Sequence, residues 1–139
     1  GTSAIVAPLE NVSLGSLHAS TTTEVPWRHV QPREREAFVE FSSPPKPDPY
    51  LDAMNDVIDE LTWSNQDSTA LVLSLGYDIV ASDPHGSWEF SQVIFMEIGE
   101  ELAVRGLPVC VVQEGGYALK ALANCSHAFA AGILMEDDE

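Results

Sequence analysis

Basic residues are scarce in this sequence. Six Lys and Arg stand against 22 Asp and Glu, a net charge of -16 at pH 7. Binding to a phosphate backbone needs clustered Lys and Arg, so no nucleic acid is expected as a partner. An acidic field suits cationic ligands, or simply keeps the surface soluble. There are only two cysteines, Cys110 and Cys125. Both sit in apolar stretches without metal-site spacing and read as buried, reduced thiols of an intracellular, cytoplasmic protein, a nuclear one being compatible too. No apolar run reaches membrane-spanning length and no charged-then-apolar leader opens the chain, so a soluble protein with no membrane partner is expected. The four histidines, His18, His29, His85 and His127, are dispersed, and no pair has metal-ligand spacing. No internal repeat is present.

What is there is ordinary globular material. With 139 residues, 45% of them hydrophobic, the chain suffices for one domain with a core. An alternating run over residues 11–17 suggests a strand, and the aperiodic stretch 20–36 a surface loop. Residues 38–41 form a short strand candidate before a proline-enforced linker. Asp48-Pro49 reads as a cap and first helical position, followed by Tyr50, Leu51, Met54, Val57, Ile58 and Leu61 at helical spacing. A strand over 70–75 follows. The stripe Phe90, Ile94, Ile98, Leu102 predicts a helix to about Arg105, with Gly106 at its C-terminal cap. A strand over 108–112 and a helix over 119–134, with Leu119, Leu122, Phe129 and Ile133 inward, complete the pattern. Met135 to Glu139 reads as an acidic, frayed tail. Alternation of this kind implies βαβ units and a parallel sheet, and the near-continuous apolar strands imply a sheet covered on both faces.

Two strand ends carry the candidate chemistry, because ligands of open α/β sheets bind at the carboxyl ends of strands. Asp78 follows the strand 70–75 and Gly76, and serves either as a divalent-metal ligand or as a turn or cap aspartate. Position alone does not separate the two. Tyr117 follows Gly115-Gly116, where the phenol either donates to an oxyanion or lies half-buried beside a tight turn. Asp83-Pro84 is explained by an Asx-type turn. His85 either reaches the rim or, more simply, is a loop histidine, and His127 is a structural one.

Leu71 to Asp78, then Asp83-Pro84, then Val111 to Tyr117 resemble the C-terminal part of the histone deacetylase and acetylpolyamine amidohydrolase family, nearer to the amidohydrolase-like branch. Gly1-Thr2-Ser3-Ala4-Ile5 resembles the tail of the family's Asp-x-His-His-Gly-Asn-Gly-Thr motif. Ser16-Leu17-His18 is similar to its Ser-(Leu/Ile)-His strand end, and Val25-Pro26-Trp27 to a segment that places an aromatic residue beside the substrate channel. The match is poorest between Arg28 and Pro47, where the family's glycine-rich loop is replaced by Gln31-Pro32-Arg33-Glu34-Arg35-Glu36.

The resemblance implies an arginase/deacetylase-like three-layer αβα fold with a mostly parallel sheet. It implies one partial domain over 1–139, with 20–47 as a divergent loop and linker region. It also implies a zinc hydrolase that removes acetyl groups from acetyl-lysine or acetylpolyamine. Carried over, Asp78 matches a zinc ligand and Tyr117 the oxyanion donor. Trp27, Gly115 and Gly116 match the substrate channel, and Ser16 and Leu17 match positions that help bind potassium. The first zinc aspartate, the zinc histidine and the proton-handling histidine pair have no counterpart in these 139 residues. The chain is therefore expected to be a C-terminal fragment, inactive alone and prone to associate through an exposed sheet edge. A non-catalytic interaction module is the alternative. A small-ligand α/β binding domain with no zinc history fits the joint motif less well.

Overall fold

Both strand pairs run parallel, as the alternation of strands and helices requires. The computed structural model describes residues 2–6, 8–19, 34–63 and 70–134. In chain order these form α1 (Thr2–Val6), β1 (Leu14–Ala19), β2 (Glu36–Phe41), α2 (Pro47–Trp63), β3 (Leu71–Gly76), α3 (Val93–Ala103), β4 (Val109–Gly115) and α4 (Leu119–Leu134). They divide into two compact units, residues 1–43 with 52–68, and residues 44–51 with 69–139.

In the first unit β1 pairs with β2 from Leu14 opposite Glu36 to Ala19 opposite Phe41. Arg35 enters β2 at a left-handed φ of 67°, uncommon for a residue with a side chain. Its guanidinium donates to the Leu9 carbonyl at 3.1 Å and to that of Glu10, which ties the turn to the chain before β1. Ala37, Met54, Val57 and Ile58 are buried here. Two differences from expectation stand out. The strand starts at Leu14 instead of residue 11, and the five-residue α1 was not anticipated. Of the loop expected over 20–36, residues 20–33 lie outside the described residues, and Glu36 already belongs to β2.

Helix α2 begins at Pro47, with Asp48 inside its first turn and not at the cap. Proline suits either position, because first-turn N–H groups lack intrahelical acceptors. The Lys46 carbonyl, accepting from Tyr50 N at 3.2 Å, sets the start two residues earlier than the sequence suggests.

The second unit contains a strand–helix–strand crossover, β3–α3–β4. Its register runs from Leu71 opposite Val109 to Leu75 opposite Gln113. It then shifts, so that Gly76 faces Gly115 and Glu114 is the extra, bulged residue. Helix α3 buries Ile94, Phe95, Ile98, Gly99 and Leu102. Phe90 is buried as expected but lies before the helix, bridged to Val80. Gly106, at φ 65°, follows the helix where a C-terminal cap was expected. Helix α4 has the expected limits and buries Cys125, Phe129 and Gly132. A Cβ on Gly132 would lie 2.0 Å from the Met96 carbonyl, so α3 and α4 touch backbone to backbone.

Three burial expectations are corrected. Leu119 is 78% exposed, because it ends the α4 stripe at the strand rim. Cys110 is exposed while Cys125 is buried, and both are free thiols. Among the described residues the β3–β4 pair is not covered on both faces. Side chains alternate along a strand, and the register puts Val72 beside Cys110 and Ser74 beside Val112 on one face. That face is bare, with Val72 69% and Val112 43% exposed, whereas Leu75 on the other face is buried. Continuous hydrophobicity in β4 therefore does not report two covered faces. Among the described residues no helix is long and apolar enough to cross a membrane.

Candidate functional site

Strands β3 and β4 reach their carboxyl ends at a pair of facing glycines, and the chain leaving β3 turns Asp78 back between them. A Cβ on Gly76 would lie 2.7 Å from Asp78 Oδ1, and a Cβ on Gly115 would lie 2.7 Å from Oδ2. The carboxylate thus occupies the space that two side chains would take. Glycine is needed at both positions for that reason. The Tyr50 phenol, pushed up to about 12 by burial and then by the Asp78 charge, stays protonated. Its ring packs against Trp88 at 5.5 Å and Phe90 at 5.2 Å. This phenol was missed in the sequence, where Tyr50 reads only as one more apolar position of α2.

Beyond Gly115 the chain passes Gly116 at φ 115°, where a Cβ would meet Tyr77 Cβ at 2.8 Å. That turn delivers Tyr117 to the rim with its side chain 53% exposed. Beneath it, Tyr77 N donates to the Gly115 carbonyl at 3.3 Å, and the buried Tyr77 ring packs on Phe95 at 4.8 Å. Burial, and then the nearby Cys125, raise the Tyr77 phenol above its ordinary pKa, and burial raises the Cys125 thiol.

Asp83 is the buried acid of this rim, at 8% exposure. Its Oδ1 accepts from His85 N at 2.8 Å and Gly86 N at 3.1 Å, the Asx-type turn read from the sequence. Its Oδ2 accepts from Tyr117 N at 2.6 Å and Ala118 N at 3.0 Å, which no local pattern announces. Burial acts to raise its pKa, but the four N–H donors outweigh it and hold the carboxyl below the usual range. The His85 ring stands edge-on to the Tyr117 ring at 4.8 Å and 81°. His85, read as a loop histidine, does reach the rim.

The second unit therefore gathers Asp78, Gly115, Gly116 and Tyr117 at one strand rim. Ser16 and Leu17 are half-buried on β1 in the first unit, where Ser16 Oγ and His18 Nδ1 are hydrogen-bonded at 3.1 Å. Trp27 lies outside the described residues. His127, expected as a structural residue, is exposed on α4.

The sequence profile of the histone deacetylase domain matches residues 1–133. The chain belongs to that family. It is 32% identical over 84 residues to an acetylpolyamine amidohydrolase of Burkholderia pseudomallei, and 40% identical over 53 residues to acetylpolyamine amidohydrolase 1 of Pseudomonas aeruginosa. These matches take in 60% and 38% of this chain but only 24% and 15% of the relatives' own length. Among solved structures, the HDA15 HD domain superposes over the whole chain and 42% of its own, with a TM-score of 0.81 at 20% identity. The B. pseudomallei acetylpolyamine aminohydrolase superposes over 86% of this chain and 44% of its own, with a TM-score of 0.53 at 19% identity. The histone deacetylase Clr3 covers 76% of this chain and 18% of its own, at 0.63 and 22% identity. The expected deacetylase-like α/β fold is the fold found.

Zinc is the metal of this family in general. A catalytic zinc takes three protein ligands and keeps one position open. Among the described residues no three His, Cys, Asp or Glu are grouped to hold a metal. The described residues therefore do not by themselves form a complete zinc site.

Proposed function

We propose that this chain is the C-terminal part of a zinc-dependent deacetylase domain that hydrolyses the N-acetyl amide of acetyl-lysine or an acetylpolyamine, and that it is inactive alone. The observation that carries this is the Asp78 carboxylate seated between Gly76 and Gly115, with Tyr117 two residues beyond. Asp78 offers its carboxylate to the metal, whose chemistry is to polarise the acetyl carbonyl and acidify a bound water. Tyr117 donates its phenolic O–H to the oxyanion that forms when the carbonyl becomes tetrahedral. Gly115 and Gly116 leave the rim open for the acetylated side chain, and a channel role for Trp27 rests on the family resemblance alone. A structural potassium at Ser16 and Leu17 rests on the family resemblance alone.

The test supplies the missing half. Co-expressed with a complementary deacetylase half carrying the Asp-x-His ligands, the chain is expected to bind one zinc and to deacetylate an acetyl-lysine peptide or an acetylpolyamine. Failure of the assembled domain to do either defeats the reading. The bare face of β3 and β4 favours a second reading, a non-catalytic interaction module. That reading predicts association without zinc uptake or turnover.

A further inference from the structure

The roles proposed for Asp78 and Tyr117 leave Asp83 without one, although its carboxylate is buried and accepts four backbone N–H bonds. We infer that Asp83 is a positioning residue for Tyr117, a clasp in which each carboxylate oxygen holds one of the two rim loops and the pair sets the phenol against His85. The inference rests on the reading of Tyr117 as the oxyanion donor.

Tyr117 is 53% exposed, so core packing does not fix its side chain. A catalytic donor must nonetheless be held to within roughly 0.5 Å. The clasp supplies that hold at the backbone. Oδ2 binds the amides of Tyr117 and Ala118, 34 and 35 residues away, while Oδ1 binds those of His85 and Gly86. Because one rigid carboxylate joins both loops, the side chains they carry keep a fixed relation. The edge-on contact of His85 and Tyr117 at 4.8 Å is where that relation is visible. An ionised carboxylate suits the task, since both oxygens accept. An asparagine accepts through only one and presents donors on the other side.

The test compares Asp83→Asn and Asp83→Ala with the unaltered chain by hydrogen exchange at the amides of residues 85, 86, 117 and 118. It also follows the nuclear Overhauser contact between the His85 and Tyr117 rings. In Asp83→Ala, protection at Tyr117 and Ala118 is expected to fall roughly tenfold or more, the scale of losing a hydrogen bond to a charged group. The ring contact is expected to vanish. In Asp83→Asn one loop keeps its protection, the other loses it, and the ring contact again weakens. The amides of α3 report whether each variant is folded, and if Asp83→Ala unfolds, Asp83→Asn decides alone. A ring contact that persists in folded variants overturns the clasp and leaves Asp83 as a mere cap of α4. All readouts are conformational, so this outcome is distinct from failure of the deacetylase reading, which the assembled domain tests.

Discussion

Helix α3 and strand β4 follow one another in the chain and are alike in apolar character, yet they end in opposite environments. Ile94, Phe95, Ile98 and Leu102 of α3 are at most 2% exposed, whereas Cys110 and Val112 of β4 are exposed, Val112 at 43%. The difference lies in what faces them. Helix α3 meets α4 so closely that Gly132 admits no side chain, while β4, paired on one side with β3, leaves one face of the pair bare. Hydrophobicity thus shows what a segment can bury, and its partners decide what it does bury. In a family member spanning a fraction of its relatives' length, that distinction separates the sealed part from the part left uncovered.

The largest loss of stability is expected where the sealed side is emptied. Leu102→Ala removes a side chain that is 1% exposed and is expected to cost about 2–5 kcal/mol, the range for a large-to-small change in a packed core. Urea denaturation checks it. A loss below about 0.5 kcal/mol, the scale of ordinary exposed sites, would mean that α3 is not the core its burial describes.

Gly132→Ala asks the same question from the other helix. Its new methyl meets the Met96 carbonyl at 2.0 Å, so the helices must separate. Overpacking of this kind costs about 1–3 kcal/mol. A melting temperature unchanged from that of the parent chain would show that the helices do not pack as closely as their backbones suggest.

Much of this contrast was legible in the sequence where the relevant contacts are local. The limits of α4, the α3 stripe and the delivery of Asp78 and Tyr117 to one rim follow from periodicity, glycine placement and strand order. Where the outcome depends on distant partners, the sequence misleads. Cys110 and Val112 look like core because their own segment is apolar, and nothing local reveals that no described element covers that face. Asp83 looks like a turn residue because its Asx turn is local, whereas its second pair of bonds spans 34 and 35 residues. Tyr50 is another such case, since its phenol matters through a field from Asp78 that no spacing encodes. Asp48 was displaced from the cap by a choice between two prolines that only the Lys46 carbonyl resolves.

Acid sharpens the comparison at the rim. The folded pKa of Asp83 is depressed, so its contribution to stability is present above the unfolded carboxyl value of about 3.9 and is lost as pH falls through the folded value. Between these two, an ordinary aspartate is protonated while the clasp persists. Glu97 shifts the other way, raised by burial and then by Glu100 and Asp48. Its contribution is therefore full at low pH and lost as pH rises through the raised value. In Asp83→Asn the acid limb of the stability-versus-pH curve should flatten, and in Glu97→Gln the mild loss towards neutrality should disappear. Identical acid limbs in the parent and Asp83→Asn, measured by thermal melts from pH 2 to 7, would deny Asp83 its part in acid stability.

The smallest effect on stability is expected on the bare face, and that smallness is the point. Val72→Thr and Val112→Thr keep β-branching, and so strand preference, while removing apolar surface from two neighbouring strands. At 69% and 43% exposure little packing is lost, so each should change stability by no more than about 0.5 kcal/mol, as exposed sites do. Association should respond more strongly. An unpartnered apolar sheet face is a pairing liability, and the unaltered chain is expected to self-associate despite its net charge of -16. In light scattering the double substitution should lower the mean mass without moving the melt. A monomeric parent chain would remove the liability altogether. A double variant that stays associated would place the contact elsewhere than this face. If the substitutions instead cost as much as Leu102→Ala, β4 would be packed within this chain after all, and the contrast with α3 would disappear.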